Sequence, residues 1–231
     1  MRYENIKEAK FISRPNRFIA HIEINGKIEV CHVKNTGRCK ELLIPNATIF
    51  VQEFDNPNRK TKYDLIAVYK GDRLINMDSQ IPNKVFHEWV CQSNLFSENA
   101  IIKPETKYGN SRFDFYIEDG DRKAFIEVKG VTLEESGIAL FPDAPTERGV
   151  KHINELCSCL NDGYEAYIVF IVQMNKIMSF TPNNRTHKAF GDALCYAKKC
   201  GVNILALDCS VTTDSISAGE KVNVQLDLQD Y

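Results

Sequence analysis

Hydrophobic and polar residues alternate along several short stretches of the first eighty residues. In the segment 18–24 apolar side chains recur at every second position, and a second alternating segment at 28–33 follows the pair Asn25-Gly26. This period predicts strands with one buried face, and Asn-Gly between two such runs predicts a tight hairpin. Further strands are predicted at 48–54, 63–69 and 74–77, with a helical turn at 39–43. Five short strands in succession favour a small closed β-barrel of the OB type.

The spacing of apolar residues becomes helical from about Asn83. It predicts an amphipathic helix over 83–97, because the large apolar side chains fall three and four positions apart. Two more helices are predicted over 147–161, with Thr146 as N-cap, and over 185–200, closed by Gly201. All three helices therefore lie in the second part of the chain.

Strands alternate with these helices in the second part of the chain. They are predicted at 101–106, 112–118, 123–132, 166–173, 203–208 and 222–228, with loops over 134–146 and 174–184. Mixed strands and helices in this order indicate an α/β sheet. We therefore predict two domains, an OB-like barrel at 1–80 and an α/β domain at 81–231.

Composition narrows the class of protein. The chain has 231 residues, of which 43% are hydrophobic and 26% charged, so a buried core is expected. No apolar run is long enough to cross a membrane, and the first residues lack the apolar core of a signal peptide. We therefore expect a cytoplasmic protein without membrane contact. None of the eight cysteines has Cys-x-x-Cys spacing, which favours reduced thiols over a zinc or redox motif.

Charge is distributed unevenly along the chain, although the formal net charge is only −2. Residues 1–40 contain nine Lys and Arg against four acids, a net charge of +5. Residues 208–231 contain five acids and one Lys, a net charge of −4. Such polarity suits a protein with one face toward an anionic partner. An unevenly charged but merely solvated surface is the alternative.

Three residues in mid-chain combine charge with a strand pattern. Glu127 and Lys129 are two positions apart in an apolar run, so their side chains share one strand face while Ile126 and Val128 fill the other. Asp114 lies on the preceding predicted strand. Two acids and a lysine held this way could bind a divalent cation and stabilise charge on a phosphate. An ordinary polar face closed by a Glu–Lys pair remains the alternative.

Several longer segments resemble a known family. They are His32-Val-Lys-Asn-Thr-Gly-Arg-Cys-Lys-Glu-Leu-Leu43, Tyr108-Gly-Asn-Ser-Arg-Phe-Asp114, Glu127-Val-Lys-Gly-Val-Thr-Leu133 and Phe141-Pro-Asp-Ala-Pro-Thr-Glu-Arg-Gly-Val-Lys-His152. In this order they resemble the sugar fermentation stimulation protein family, over nearly the whole chain. The resemblance implies an OB-like barrel followed by a restriction-endonuclease-like PD-(D/E)xK domain, with DNA binding and a role in regulating sugar-fermentation genes. Phe113 stands where that nuclease motif has proline.

The resemblance also implies roles for particular residues. Asp114 and Glu127 match the metal-binding acids of the nuclease motif, Lys129 matches its lysine, and Glu105 on the preceding strand is the candidate upstream acid. The backbone carbonyl of Val128 would complete the metal ligands. Because Mg²⁺ prefers oxygen ligands, we expect Mg²⁺ or Mn²⁺ as the cofactor.

Candidate nucleic-acid contacts lie in both domains. In the barrel they are Arg14, Arg17, Asn35, Arg38 and Lys40, and in the second domain they are Arg148 and His152. The neighbouring Thr36-Gly37 could let the backbone approach a phosphate or simply form a turn. None of these side chains specifies a base sequence, so weak specificity and strong salt dependence are expected. For Arg148 and His152 an ordinary ion pair on a helix is the alternative.

Three functional interpretations remain open at this point. The first is a metal-dependent nuclease, the second a catalytically silent DNA-binding regulator, and the third a structural or protein-binding module. Because the two acids and the lysine are all present, the structural or protein-binding module is the least favoured interpretation. The sequence also leaves open whether the substrate is DNA or RNA, with DNA favoured, and whether the protein is a monomer or a homodimer.

Overall fold

A computed structural model describes residues 1–35 and 37–226 of the chain. Thr36 and residues 227–231 lie outside the described residues. The predicted role of Thr36 and the end of the predicted strand 222–228 therefore concern residues outside this range. Among the described residues, no helix is both long and apolar enough to span a membrane.

The first sheet is a closed barrel. Its strands are β1 (Ile6–Asn16), β2 (Ile19–Ile24), β3 (Lys27–Val33), β4 (Thr48–Glu53), β5 (Tyr63–Lys70) and β6 (Arg73–Asn76). They lie in the order β3-β2-β1-β4-β5-β6, and β3 also pairs with β5 in parallel. This last pairing closes five strands into a ring, while β6 extends the sheet as a hairpin partner of β5. The OB barrel fold is thus confirmed.

The membership of the barrel differs from the prediction. Strand β1 was not predicted, and the predicted strand at 74–77 lies outside the ring as β6. In β1 only Ala9 and Phe11 are buried, and register shifts interrupt its pairing with β2 after Phe11. These irregularities remove the alternation on which the sequence argument depended.

The second domain contains three helices and ten strands among the described residues. They are α1 (Pro82–Gln92), β7 (Ile101–Tyr108), β8 (Ser111–Asp119), β9 (Arg122–Val131), β10 (Leu133–Glu135), β11 (Ile138–Phe141), α2 (Glu147–Asn161), β12 (Glu165–Val172), β13 (Ser179–Pro182), α3 (Asn184–Cys200), β14 (Asn203–Val211), β15 (Ile216–Lys221) and β16 (Asn223–Val224). The main sheet has the order β15-β14-β12-β9-β8-β7. Strands β9, β12 and β14 run parallel, and the outer strands run antiparallel. This is the predicted α/β domain.

The helix ends follow local signals. Helix α2 begins where the Thr146 hydroxyl accepts from the Gly149 N–H at 3.1 Å, and α3 ends at Gly201 with φ of 103°. Helix α1 is shorter than predicted, because Ser93 is extended, with ψ of 162°. Phe96 is still buried, although it follows the helix. An apolar residue in a packed loop was thus read as part of the helical pattern.

Two predicted loops contain strands. The segment 134–146 includes most of the hairpin β10–β11, and 174–184 includes β13. These short strands form a second sheet with the order β10-β11-β13-β16. They are two to four residues long, too short for a periodic pattern to be visible in the sequence.

The two domains share apolar cores and are joined by polar contacts. Phe11 of the barrel and Phe170 of the α/β domain belong to one buried cluster. The first residues of the chain also contact the second domain, since the Tyr3 N–H donates to the Asp214 carbonyl at 2.7 Å. Strand β6 ends and α1 begins on either side of residue 80, where the sequence placed the boundary.

Candidate active site

The carboxylate of Asp114 lies where two strands separate. Pairing between β8 and β9 runs from Asp119–Arg122 to Phe115–Ile126. Beyond this point the Asp114 carboxylate takes the place of a backbone acceptor of β8. Its Oδ2 accepts from the Val128 N–H at 2.8 Å. Its Oδ1 accepts from the Asn83 side chain at 2.8 Å. Asp114 is therefore oriented from both sides, by β9 and by α1.

Glu127 lies in the middle of β9 and is 2% exposed. Its Oε1 accepts a hydrogen bond from the Lys129 ammonium and lies 2.6 Å from His152 Nδ1. Its Oε2 is buried and has no hydrogen-bond partner among residues 1–35 and 37–226. A buried carboxylate oxygen without a partner is costly, so its presence indicates a place for a ligand.

His152 lies on helix α2 and is hydrogen-bonded to Glu127. The Arg148 guanidinium, which can only donate, approaches His152 Nε2 at 3.3 Å. Nε2 therefore accepts, so the proton is on Nδ1 and is donated to Glu127. His152 is 5% exposed. The ring is thus buried and bonded to the Glu127 carboxylate, and a contact of His152 with nucleic acid stays a prediction that this arrangement does not favour.

The environments of the two acids shift their pKa values in opposite directions. Burial, and then repulsion from Glu127, raise the pKa of Asp114 above its ordinary value, against the hydrogen bond from Val128. Burial alone would raise the pKa of Glu127 too, but the hydrogen bond from His152 and the charge of Lys129 lower it overall. A cation between the two acids would offset both the burial and the repulsion.

The donor atoms fit a hard divalent cation. Within the described residues, no group of three or more His, Cys, Asp and Glu side chains surrounds a common position. The available ligand atoms are those of two carboxylates and the Val128 carbonyl. In a strand the N–H and C=O of one residue point in the same direction, so the Val128 carbonyl points toward Asp114 as its N–H does. Mg²⁺ commonly binds through one or two carboxylates and keeps several waters, whereas zinc favours nitrogen and sulfur.

Glu105 does not join this group. By register it lies opposite Asp114 on β7, but its φ of 53° places it in the left-handed region. Its side chain is 63% exposed and lies 3.7 Å from Arg112. Glu105 is thus paired with Arg112 at the surface, and its role as an upstream acid stays a prediction.

Arg14 was predicted to contact nucleic acid, but it is occupied. Its guanidinium donates to the carbonyls of Arg17, Asn35, Gly37 and Arg38 at 2.6–2.9 Å. Four backbone carbonyls saturate its outer nitrogens, so it fastens the loop after β3 to β1 and does not reach a phosphate.

The other barrel candidates remain near the surface. Arg17, Arg38 and Lys40 are exposed and line a groove of about 620 Å³. The half-buried Asn35 orients the loop, because its Oδ1 accepts from the Gly37 N–H at 2.8 Å. The groove thus has three available positive charges.

This basic groove adjoins the second domain. The Arg38 N–H donates to the Asp143 carboxylate at 3.0 Å. Asn35 and Gly37 also line a small cavity together with Gly130, which follows Lys129 on β9. The loop after β3 therefore lies next to the strand that carries Glu127 and Lys129.

Several site residues were not found from the sequence. Asn83 and the role of His152 depend on helices packed against the sheet from distant parts of the chain. No spacing rule relates them to Glu127. Only the pair Glu127–Lys129 carried a local signal, since both lie on one strand.

Comparison with known proteins agrees with this architecture. An OB barrel followed by a restriction-endonuclease-like α/β domain with paired acids defines the class of protein to which this chain belongs. The family model described as "SfsA N-terminal OB domain" matches residues 12–77, and the one described as "Sugar fermentation stimulation protein RE domain" matches residues 80–215. The chain therefore belongs to the sugar fermentation stimulation protein family, as the resemblance implied.

Relatives match nearly the whole chain. A sugar fermentation stimulation protein homolog of Clostridium beijerinckii is 63% identical, over 98% of this chain and 100% of that protein. A homolog of Desulfitobacterium hafniense is 66% identical, over 98% of this chain and 99% of that protein. The solved structure of Pyrococcus furiosus SfsA in complex with Ca²⁺ superposes with a TM-score of 0.86 at 29% identity, covering 97% of this chain and 98% of that one.

Proposed function

We propose that this protein is a divalent-metal-dependent nuclease that hydrolyses phosphodiester bonds in DNA with weak sequence specificity. The observation that supports this most is the unpartnered, buried Oε2 of Glu127 beside the carboxylate of Asp114. The pair with Lys129 leaves this oxygen without a donor among the described residues, and most buried polar atoms in proteins do have a partner. The Ca²⁺ bound in the solved relative from Pyrococcus furiosus supports a divalent cation here as well.

Asp114, Glu127 and the Val128 carbonyl would hold the cation, with Mg²⁺ or Mn²⁺ as the working ion. The bound ion supplies Lewis-acid stabilisation of the phosphate and a more acidic water. The residues around it are already oriented, since Asn83 and Val128 hold Asp114, and His152 holds Glu127. Little reorganisation is needed when charge develops, which favours catalysis.

Lys129 has the remaining chemical role. Its side chain is 20% exposed, while its ammonium donates to the Glu127 carboxylate. It keeps two further N–H donors. These orient the attacking water and offset the charge on the phosphate as the water oxygen bonds to phosphorus and the P–O ester bond breaks. The attacking water gives up a proton to solvent, and the leaving oxygen takes a proton from solvent.

The barrel groove would hold the strand. Arg17, Arg38 and Lys40 contact phosphates there, and none of these contacts distinguishes bases. Binding should therefore weaken steeply with salt. DNA as substrate and thiols that form no disulfide fit a protein of the cytoplasm.

The test is cleavage of labelled single- and double-stranded DNA and RNA with Mg²⁺, Mn²⁺ or EDTA. Lys129→Ala should lower metal-dependent cleavage at least about 100-fold. Lys123→Ala is the matched control, because Lys123 is an exposed lysine on the same strand. Cleavage should persist in this control.

Two results would contradict the proposal. Cleavage that persists in EDTA would exclude the metal-dependent mechanism. Retarded but uncut DNA under all metal conditions, equal for both variants and the wild type, would make the protein a silent DNA-binding regulator.

A further inference from the structure

A small cavity lies between the domains, beside the candidate active site. Its volume is about 170 Å³, which is room for roughly six water molecules at about 30 Å³ each. It opens at the carboxyl ends of the parallel strands β9 and β12, where Gly130 and Gln173 lie. Ligands of α/β proteins commonly bind at this edge of the sheet.

Gln173 presents an unused acceptor to this cavity. Gln173 is 1% exposed. Its amide nitrogen donates to the Asn76 carbonyl, the Asn76 side chain and the Asp78 carbonyl at 3.0–3.1 Å. These carbonyls fix the orientation of the amide, because only its nitrogen can donate. No donor among the described residues reaches Oε1, which lies against Gly130.

Gly130 makes room for this acceptor. A Cβ at Gly130 would lie 2.6 Å from Gln173 Oε1 and 2.7 Å from Pro82. Any larger residue there would displace the amide oxygen from the cavity. The glycine follows Lys129 directly, so the cavity adjoins the residue that would face the phosphate.

Asp143 supplies a second acceptor. Its Oδ2 accepts from the Arg38 N–H at 3.0 Å, and Gly37 admits this contact, since a Cβ there would lie 2.2 Å from the oxygen. One bond leaves most of the acceptor capacity of a carboxylate available. None of the described lining residues is basic, so the cavity does not suit a phosphate.

The remaining lining side chains are mixed in character. Asn35, Ser79 and Thr132 are polar, whereas Leu133, Leu140 and Phe141 are apolar. A planar ring with an amino group would place its faces against these side chains and its N–H donors toward Gln173 and Asp143. Cytosine, adenine and guanine carry such amino groups, whereas thymine has no amino group and offers one ring N–H between two carbonyls, so it presents fewer donors to the two acceptors.

We propose that this cavity binds one amino-bearing nucleobase, turned out of the strand whose phosphate lies at Lys129. The proposal rests on the proposed function and adds a preference at one position of an otherwise unspecific contact. The Asp143 carboxylate and the Gln173 amide oxygen recognise the exocyclic amine by accepting hydrogen bonds from it, as in other sites that bind an extruded base.

The test is equilibrium binding of labelled single-stranded oligothymidylate, with or without one central dC, in EDTA so that cleavage does not interfere. The wild type should bind the dC oligonucleotide about tenfold more tightly, the gain of one good base contact. Asp143→Asn, which converts one acceptor oxygen to a donor, should remove this preference and leave binding of the all-dT strand unchanged.

Asp121→Asn is the matched control, because Asp121 is exposed in the turn between β8 and β9, and it should keep the preference. Ser79→Tyr, which fills the cavity from an exposed position, should remove it if Asp143→Asn does not fold.

The outcomes separate this inference from the nuclease proposal. Equal affinity of the wild type for both oligonucleotides overturns the base site and leaves the nuclease intact. If neither oligonucleotide binds, strand binding fails, and the cavity is then tested alone with deoxycytidine and thymidine by NMR titration. No selectivity between these nucleosides overturns the base site.

Discussion

Two buried glutamates seven residues apart show how differently one side chain can be used. Glu127 and Glu134 are 2% and 6% exposed, and both have a pKa lowered below the ordinary value. Glu134 is saturated, with Lys70 at 2.8 Å from one oxygen and Arg73 at 2.7 Å from the other. The Gly137 N–H donates to the second oxygen as well. Glu127 has one saturated oxygen and one that has no partner in the described part of the chain.

This difference separates a carboxylate that joins the two domains from the one that we propose to bind a cation. Lys70 and Arg73 belong to the barrel and Glu134 to the second domain, so their ion pairs clamp the two domains together. The partners of Glu127 come from its own domain and leave one oxygen open. Burial and a lowered pKa alone would not have distinguished them.

The largest expected effect is on catalysis. Glu127→Gln should lower metal-dependent cleavage at least about 100-fold, because the buried ligand charge is lost. The melting temperature should change little, since the amide oxygen can still accept from Lys129. The measurement is initial rate with saturating Mg²⁺, and Glu98→Gln, at an exposed glutamate before β7, is the control. Full activity in Glu127→Gln would remove this residue from the mechanism.

Glu134→Gln should act in the opposite way. It leaves two partly buried cations without a counter-charge, which costs about 2 kcal/mol of unfolding free energy after allowance for their exposure. Cleavage per folded molecule should remain near the wild-type value. Urea unfolding measures the first effect, and Glu135→Gln, at an exposed glutamate paired with Arg185, should change stability by less than about 0.5 kcal/mol. A similar loss in both variants would contradict the clamp.

The clamp should also depend on pH. Burial opposes ionisation, but Lys70, Gly137 and Arg73 lower the pKa of Glu134 from 4.5 to about 2. Since the folded pKa is the lower one, the contribution is complete above the unfolded pKa and is lost as the pH falls toward 2. Between about pH 5 and pH 3 the stability advantage over Glu134→Gln should fall by about 1 kcal/mol. A constant difference over this interval would mean that Glu134 titrates normally.

The smallest effect is expected at Glu105. Glu105→Gln should leave metal-dependent cleavage within about twofold of the wild type, because its exposed carboxylate lies apart from the other acids. Initial rates over a range of Mg²⁺ concentrations test this. A large rise in the Mg²⁺ requirement would show that the carboxylate moves into the site when substrate binds.

Local signals decided what could be predicted from the sequence. Thr146 and Gly201 marked helix ends correctly, because capping depends on neighbours within a few residues. Glu127 and Lys129 were placed on one face by strand geometry alone. Five strands were not predicted from the sequence, because β1 and β15 pair irregularly and the others are very short: β1, β10, β11, β13 and β15.

At the site, residue type alone was a poor guide to hydrogen-bond partners. Arg14 and His152 were predicted as nucleic-acid contacts, and the fold gave them partners in distant segments. The family resemblance implied Glu105 as an upstream acid, and the structure pairs its exposed carboxylate with Arg112 next to a left-handed backbone. Nothing in spacing anticipates such changes.

Periodicity and local geometry were enough to predict an OB barrel, the α/β order and the strand that carries Glu127 and Lys129. Which charges are satisfied depends on the folded structure. The fold pairs Glu134 with two cations of the other domain, leaves one Glu127 oxygen without a donor among the described residues, and closes a cavity around Gln173. Burial and hydrogen-bond partners come from segments that meet only after folding, so residue spacing does not reveal them.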